Sequence, residues 1–252
     1  EIRLSLVGSE MCIRDRGITT SLSNDGFASP QASLTVRGRR RSLTAAPPHG
    51  VVVDTAVCLE APRMLTLAGV GDLAAKLTAA RDWKLAFHQT GEPVDDFALL
   101  ISESSVHAFL SRPRFDLEGV RLLATSLLLD GFAMQLCGSS RPASGSEHLI
   151  SHALDAISAR PRMHGLQVGV AAYLVSLLQR SDSERIATLF EATGFWEAIA
   201  ADPFSRSEWL EAVRLAPTIK KNFVTVLSSG DAMAEVERHL SDDACLRRCF
   251  ST

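Results

Sequence analysis

The sequence predicts a mainly α-helical protein in which a short α/β segment precedes a long helical domain. Residues 17–60 contain runs of β-branched residues separated by turn signals. From Pro62 onward, apolar residues recur at the three- to four-residue spacing of amphipathic helices. Prolines, glycines and capping residues divide that stretch into pieces of helix length. We therefore expect an α/β segment at 17–60 and a helical domain at 61–252.

Residues 1–16 show neither a hydrophobic period nor turn signals. Residues 7–16, VGSEMCIRDR, match without a gap the translation of a transposase-type sequencing adapter. A chance match over that length is very rare. We predict that 1–16 are an adapter artefact and exclude them from the fold, as expression tags are excluded. We also expect that natural sequence upstream of residue 17 is missing.

Two strands are predicted within the α/β segment, at residues 32–36 and 51–54, where β-branched residues cluster. The turn signals Arg37-Gly38-Arg39 and Pro47-Pro48 separate them. The first long helix follows, because Leu73, Leu77, Ala80, Trp83 and Phe87 share one helical face. Gly91 and Pro93 end this helix. Further helical segments are predicted at 97–111, 117–137, 145–158, 164–180, 184–200, 206–216, 219–228 and 231–249.

Helix starts and ends are marked by capping residues and prolines. Asp116, and Ser181 or Asp182, stand where N-caps belong. Prolines mark ends or first turns of helices. These are Pro113, Pro142, Pro161, Pro203 and Pro217.

Bulk properties exclude several function classes. The net charge of −3 gives no basic field for nucleic acid. The longest apolar stretch, residues 122–136, is interrupted by Asp130 and is too short to span a bilayer, so no membrane span is expected. The N-terminus lacks the apolar region of a secretory signal, which favours a cytoplasmic protein. The cysteines are scattered and read as reduced thiols. They are Cys12, Cys58, Cys137, Cys245 and Cys249.

The string Gly69-Val-Gly-Asp72-Leu-Ala74 imitates a G-x-G-x-x-A dinucleotide fingerprint, but we reject that interpretation. A true fingerprint follows a buried strand within a βαβ unit and is followed by an acidic residue that closes a second strand. Here a long helix follows instead. We expect the glycines to let the chain turn tightly, so that Asp72 projects from the first helical turn. The alternative is an acidic residue placed there only to suit the helix dipole.

Two histidines follow a serine-rich loop in the string SSRPASGSEHLISH, residues 139–152. His148 and His152 lie four residues apart, so both imidazoles share one helix face. Both could bind one metal, or one could bind metal while the other meets substrate. His164 opens a further predicted helix in the string HGLQVGV. Asp72, His148 and His164 thus offer one carboxylate and two imidazoles from three helix beginnings, a set that suits Zn²⁺ or Fe²⁺ with open coordination positions.

These strings together resemble the sn-glycerol-1-phosphate dehydrogenase family, within the iron-containing alcohol dehydrogenase and dehydroquinate synthase superfamily. The resemblance rests on GVGDLAAKLTAARDWKLA, SSRPASGSEHLISH and HGLQVGV, with TSLSNDGFASP upstream and LAPTIKKNFVTVL downstream. It covers nearly all of 17–252, in the same order. It implies that 61–252 is the helical metal- and substrate-binding domain of a dehydroquinate synthase-like fold. Residues 17–60 would be a remnant of the nucleotide-binding α/β domain.

The resemblance also implies a reaction and a set of site residues. The reaction is hydride transfer between sn-glycerol 1-phosphate and dihydroxyacetone phosphate, with NAD or NADP and one divalent metal. Zinc is favoured, with iron or nickel as alternatives. The small phosphorylated polyol would be the partner, and a homo-oligomer is left open. The implied metal ligands are Asp72, His148 and His164; the catalytic and substrate contacts are Asp25, Asp72 and His152; the nicotinamide contacts are Thr20, Ser23 and Ser29.

The sequence departs from the family pattern at two places. Leu166 stands where the family usually has an acidic or polar residue, so the start of that helix lacks a partner for the metal ligand. The glycine-rich diphosphate loop expected upstream of Thr20 is absent, and we expect this fragment to be inactive. Arg141 could meet the substrate phosphate, or could be a loop-surface arginine.

Three alternatives stay open at this point. The chain could belong to a dehydrogenase of an unphosphorylated polyol, or to a lyase of the dehydroquinate synthase type. It could also be a helical interaction domain without catalysis. That last alternative predicts a protein that binds no metal.

Overall fold

A computed structural model of the chain describes residues 16–36 and 39–251. Residues 1–15, most of the predicted adapter segment, lie outside this part. Strand β1 (Arg16–Thr19) pairs in parallel with β4 (Gly50–Val53). Between them, β2 (Gln31–Val36) and β3 (Arg39–Thr44) form an antiparallel hairpin. The predicted strands near 32–36 and 51–54 are therefore present.

The rest of the described chain is helical. Its helices are α1 (Thr55–Leu59), α2 (Arg63–Thr90), α3 (Asp96–Leu110), α4 (Leu117–Cys137), α5 (Ser146–Ile157), α6 (His164–Leu178), α7 (Ser183–Thr193), α8 (Phe195–Ala201), α9 (Arg206–Ile219), α10 (Ala232–Asp242) and α11 (Ala244–Cys249). Two short strands, β5 (Phe204–Ser205) and β6 (Phe250–Ser251), pair in parallel beside α9.

Helix α2 forms the centre of the helical domain and is buried on nearly all sides from Thr66 to Ala80. It packs most extensively against α6. A Cβ atom on Gly71 would lie 2.1 Å from the Gly165 carbonyl oxygen, and one on Gly165 would lie 1.9 Å from the Ala68 carbonyl oxygen. The two helices therefore touch backbone to backbone, which only glycine permits.

This packing corrects the interpretation of the GVGD string. Gly69 and Gly71 lie inside α2 and make close contacts there, whereas we predicted a tight turn. A Cβ atom on Gly69 would lie 2.0 Å from the Leu22 carbonyl oxygen. Asp72 therefore projects from the middle of a long helix, and the prediction that it lies in a first turn was wrong.

Most predicted helices are present, with four differences. Gly194, with φ +75°, divides the predicted 184–200 helix into α7 and α8. Asp243 divides the predicted 231–249 helix, because its side chain caps α11. The predicted helix at 219–228 was wrong: after α9 the chain is not helical until a 3₁₀ turn at Val226–Ser228. Pro217 lies inside the last turn of α9 and does not end it.

The two predicted N-caps differ in outcome. Asp116 caps α4, because its side chain accepts from the Gly119 amide at 2.9 Å. Asp182 occupies the N-cap position of α7 with φ +63°, but its side chain makes no capping bond. The prediction of an N-cap was therefore confirmed in full only for Asp116.

Helix α4 is long and apolar enough, by length and composition, to cross a membrane. The helix has the bounds predicted for it, 117–137, and is longer than the apolar stretch of 122–136 that we judged too short to span a bilayer. Half of its most apolar window is buried within the protein. Asp130, inside it, is buried and accepts a 2.7 Å hydrogen bond from Ser105 on α3. Core helices of globular proteins meet the same test, so length and composition alone do not indicate a membrane span.

Candidate metal centre

Three side chains from three helices converge at one point. Asp72 comes from α2, His148 from the first turn of α5 and His164 from the first position of α6. One ligand atom from each lies within 4.8 Å of the other two. The Asp72 Oδ1 atom lies 3.5 Å from His148 Nε2 and 3.8 Å from His164 Nε2. The structure thus brings together the three residues that the sequence grouped.

Each imidazole is held through its other ring nitrogen. Glu147 Oε1 lies 2.9 Å from His148 Nδ1, and Ser151 Oγ lies 3.0 Å from His164 Nδ1. Gln167 Nε2 donates to the same Ser151 Oγ at 3.1 Å. When Nδ1 is engaged in this way, Nε2 is the nitrogen that can bind a metal. Both Nε2 atoms face Asp72.

The supporting residues were missed from the sequence, although signals for them exist. Glu147 directly precedes His148, and Ser151 is the second-last residue of the same string. We expected Leu166 to leave the start of α6 without a polar partner. The structure shows that Ser151, on the neighbouring α5, supplies that partner and that Leu166 is buried in the core.

Only one of the two carboxylate oxygens of Asp72 has hydrogen-bond partners among the described residues. Its Oδ2 accepts from the Asp25 amide at 3.1 Å and from Lys76 Nζ at 3.2 Å. Its Oδ1 is buried and has no hydrogen-bond partner among the described residues. An orphaned buried carboxylate oxygen carries a large desolvation penalty unless it meets a cation. The donor set of one carboxylate oxygen and two imidazole nitrogens therefore fits a divalent metal ion.

Burial and neighbouring charges shift the pKa values of the residues in this cluster. Burial alone would raise the pKa of Asp72, but the Lys76 ammonium and the His148 imidazole more than offset it and lower that pKa. Burial would lower the pKa of His148, yet its interactions with the Asp72 and Glu147 carboxylates raise it overall. The pKa of Asp25 is raised, first by burial and then by the negative charge of Asp72. A metal ion at His148 would compete with the proton that these interactions favour.

The other implied substrate contacts lie beside the cluster. His152 is one turn beyond His148, and its ring stacks on that of His164 with centroids 5.7 Å apart. Asp25 begins a 3₁₀ turn after β1, and 14% of its side chain is exposed. Asp25 thus contacts Asp72, and His152 contacts His164, so each lies next to one of the three candidate metal ligands.

The implied nicotinamide contacts lie on the segment that follows β1. Thr20 comes directly after the carboxyl end of this strand and lines an open cavity of about 620 Å³ with Ala56 and Pro62. Ligands of open α/β sheets bind at that end of the strands. Ser23 Oγ accepts from Asn24 at 3.5 Å.

Ser29 lies at the far end of this segment, where it leads into β2. Its Oγ accepts from the Gln31 amide at 3.0 Å and lies 4.0 Å from Met134 Sδ. The hydroxyl of Ser29, one of the predicted nicotinamide contacts, thus already makes a hydrogen bond within the protein.

Arg141 has a different place from either of the two that we predicted. Its guanidinium is 1% exposed and donates to both carboxylate oxygens of Glu92 at 2.8 and 2.5 Å. It also donates to the Val224 carbonyl oxygen at 2.9 Å and lies 3.6 Å from the centre of the Phe223 ring. Arg141 is therefore a buried residue that links Glu92 to the main chain at Val224. It is not a surface residue, and its guanidinium is not available to a phosphate.

Comparisons with known proteins identify the family to which the chain belongs. The family described as iron-containing alcohol dehydrogenase matches residues 8–62, a range that begins inside the segment we attribute to an adapter. A glycerol-1-phosphate dehydrogenase [NAD(P)+] from Korarchaeum cryptofilum is 33% identical over 247 residues, which cover 92% of this chain and 78% of that protein. The chain belongs to the glycerol-1-phosphate dehydrogenase family.

Other members of the glycerol-1-phosphate dehydrogenase family are longer than the region matched here. The enzyme of that name from Pyrococcus furiosus is 38% identical over 216 residues, 82% of this chain. The matched region spans 61% of the length of that relative. The resemblance found in the sequence is thus confirmed at the level of the family.

Solved structures confirm the predicted fold class. A probable glycerol dehydrogenase from Sinorhizobium meliloti superposes with a TM-score of 0.70 at 17% identity, covering 94% of this chain and 74% of that one. Glycerol dehydrogenase from Schizosaccharomyces pombe superposes with a TM-score of 0.69 at 15% identity, over 97% and 66% of the two chains. The chain has the helical domain typical of the iron-containing alcohol dehydrogenases.

Proposed function

We propose that this chain carries the metal- and substrate-binding part of an NAD(P)-dependent oxidoreductase that interconverts sn-glycerol 1-phosphate and dihydroxyacetone phosphate. The observation that carries the proposal is the convergence of Asp72, His148 and His164, with ligand atoms within 4.8 Å. These residues lie in the strings by which the chain resembles its family. The names of the relatives supply the substrate and the nicotinamide cofactor.

Asp72, His148 and His164 would hold one divalent cation, for which zinc is favoured and iron or nickel are alternatives. When bound, such a cation stabilises negative charge on a hydroxyl or carbonyl oxygen of the substrate. Glu147 and Ser151 keep both Nε2 atoms directed at Asp72. The protein thus offers an aligned ligand set without rearrangement of the imidazoles.

Asp25 and His152 would bind the substrate beside the cation. The Asp25 carboxylate can accept a hydrogen bond from a polyol hydroxyl, and 14% of its side chain remains exposed. His152 can donate a hydrogen bond or exchange a proton near neutral pH. The stacking of His152 on His164 keeps this imidazole next to a candidate metal ligand.

Thr20, Ser23 and Ser29 would contact the nicotinamide side of the cofactor. The nicotinamide supplies or accepts the hydride, while the protein orients it towards the substrate carbon. Thr20, at the carboxyl end of β1, lines the cavity of about 620 Å³. This cavity is our candidate for the approach of the cofactor.

Calorimetric titration of dihydroxyacetone phosphate into the zinc-loaded chain tests the proposal. We expect binding that disappears in the chelator-treated protein and weakens at least about 10-fold in His152→Ala, which removes a hydrogen-bonding group. Dihydroxyacetone, without the phosphate, should bind at least about 10-fold more weakly, since charge-assisted bonds to the phosphate would be lost. His88→Ala, at the exposed end of α2, is the matched control and should bind like the wild type.

Other outcomes would point to the alternatives. Equal binding of dihydroxyacetone and its phosphate would favour a dehydrogenase of an unphosphorylated polyol. A purified protein that binds no zinc, and whose ligand binding is unaffected by His148→Ala, would favour a non-catalytic helical domain. Either result would overturn the proposal.

A further inference from the structure

Lys76 is a fully buried ammonium group beside the candidate metal centre. It lies one turn after Asp72 on α2 and has no solvent-exposed surface. Its Nζ donates to Asp25 Oδ2 at 2.8 Å, to Asp72 Oδ2 at 3.2 Å and to the Ala143 carbonyl oxygen at 3.4 Å. A lysine ammonium has three N–H donors, so these bonds use all of them.

The bond to Asp72 determines which carboxylate oxygen faces the imidazoles. The terminal torsion of an aspartate is broad, so the side chain alone does not fix the carboxylate plane. Lys76 and the Asp25 amide together occupy Oδ2. The carboxylate then presents Oδ1 to His148 and His164, at 3.5 and 3.8 Å.

The bond to Asp25 joins the two parts of the chain. Asp25 lies in the segment between β1 and β2, 51 residues from Lys76. Two carboxylates this close repel each other unless a cation lies between them. Lys76 supplies that cation, so the implied substrate contact Asp25 stays next to the implied metal ligand Asp72.

We propose that Lys76 is a positioning residue that orients Asp72 towards the metal and Asp25 towards the substrate through one ammonium group. The proposal rests on the proposed function. Lys76 itself is buried and fully bonded, so it touches neither metal nor substrate. It acts through the two carboxylates.

The test compares Lys76→Met and Lys76→Arg with Lys84→Met. Lys84 lies two turns further along α2 and pairs with Glu103 at 3.0 Å near the surface, which makes it a matched control. The readouts are zinc affinity, by competition with a chromophoric chelator, and the visible absorption spectrum of the cobalt-substituted protein. Circular dichroism first establishes that each variant is folded.

We expect Lys76→Met to weaken zinc binding about 10- to 100-fold, as loss of a group that orients a ligand typically does. The cobalt bands should shift in both Lys76 variants, because the orientation of Asp72 changes. Lys84→Met should match the wild type in both readouts. A purely structural role would lower the melting temperature of a Lys76 variant and leave its cobalt spectrum unchanged.

Two results separate the possible failures. If the wild type binds no zinc, the proposed function itself fails. If the wild type binds zinc and the Lys76 variants have the same affinity and cobalt spectrum, only the role of Lys76 is overturned. Should Lys76→Met not fold, Lys76→Arg decides, since it keeps the charge and changes the bonding geometry.

Discussion

Glu147 shows how much a single carboxylate can do at this site. It is fully buried, accepts from the Gly145 amide at 2.5 Å and from the Thr78 hydroxyl at 2.8 Å, and bonds to His148 Nδ1 at 2.9 Å. Burial would raise its pKa, but the hydrogen bond and charge of His148 lower it overall. Glu147 thus connects a candidate metal ligand to helix α2 and to the loop before α5.

Glu147→Gln should weaken zinc binding about 10- to 100-fold, because the carboxylate that orients His148 and increases its basicity is lost. Zinc affinity measured by chelator competition checks this. Glu118→Gln, at an exposed pair on α4, is the control and should bind as the wild type does. An affinity of the Glu147 variant within twofold of the wild type would contradict the assignment.

The grouping of the three candidate metal ligands could be predicted from the sequence, whereas the buried lysine beside them could not. Asp72, His148 and His164 stand out because carboxylates and imidazoles in family strings indicate metal ligands. Lys76 instead resembles any other lysine in a long helix. Its partner Asp25 lies 51 residues away, and only the tertiary fold brings the two together.

Helices α2 and α6 are the elements on which the site depends most. They cross where Gly71 approaches Gly165, and Gly165 in turn approaches Ala68. The sequence predicted both helices but not their contact. A glycine inside a helical pattern indicates a turn as readily as a close approach, and local sequence does not distinguish the two.

Gly165→Ala should lower the free energy of unfolding by about 1–3 kcal/mol, because the added methyl group would lie 1.9 Å from a backbone oxygen and force the helices apart. Zinc affinity should fall as well, since His164 directly precedes Gly165. Urea unfolding and chelator competition measure the two effects.

Gly230→Ala is the matched control for this prediction. A Cβ atom there would meet no heavy atom of the described residues within 4 Å. If both variants unfolded at the same urea concentration, the interpretation of the α2–α6 contact would be wrong.

At the scale of the whole molecule, buried charge is the main feature of this domain. Asp72, Lys76 and Glu147 have no exposed surface. Asp82 is buried near Glu147, and burial together with the charge of Glu147 raises its pKa to about 6. Such a cluster is costly to bury unless its charges are matched, so a bound divalent cation should contribute to the stability of the fold.

Zinc at 100 times its dissociation constant should stabilise the protein by about 2.7 kcal/mol, which corresponds to a rise of roughly 5–10 °C in melting temperature. The rise should grow as the pH increases from 6 to 8, because the pKa of His148 is raised and its proton competes with the metal. Scanning calorimetry with zinc and with chelator, across that pH range, measures this.

The metal-free protein should show the opposite dependence. Protonated His148 pairs with Asp72 and Glu147, so its contribution to stability is complete below the ordinary imidazole pKa of about 6.5 and is lost as the pH rises through its raised value. His148→Gln should remove this dependence. For the zinc-bound protein, a rise in melting temperature on zinc binding that is larger at pH 6 than at pH 8 would contradict the preceding prediction.

The glycine contact between α2 and α6 has a consequence for how sequences of this kind can vary. Asp72 directly follows Gly71, and His164 directly precedes Gly165, so the two donor residues are attached next to the point where main chains meet. Their separation is then set by main-chain atoms, which substitutions at positions other than these glycines leave in place. Apolar substitutions elsewhere in the domain should therefore change the distance between the two donor residues less than a substitution at either glycine does.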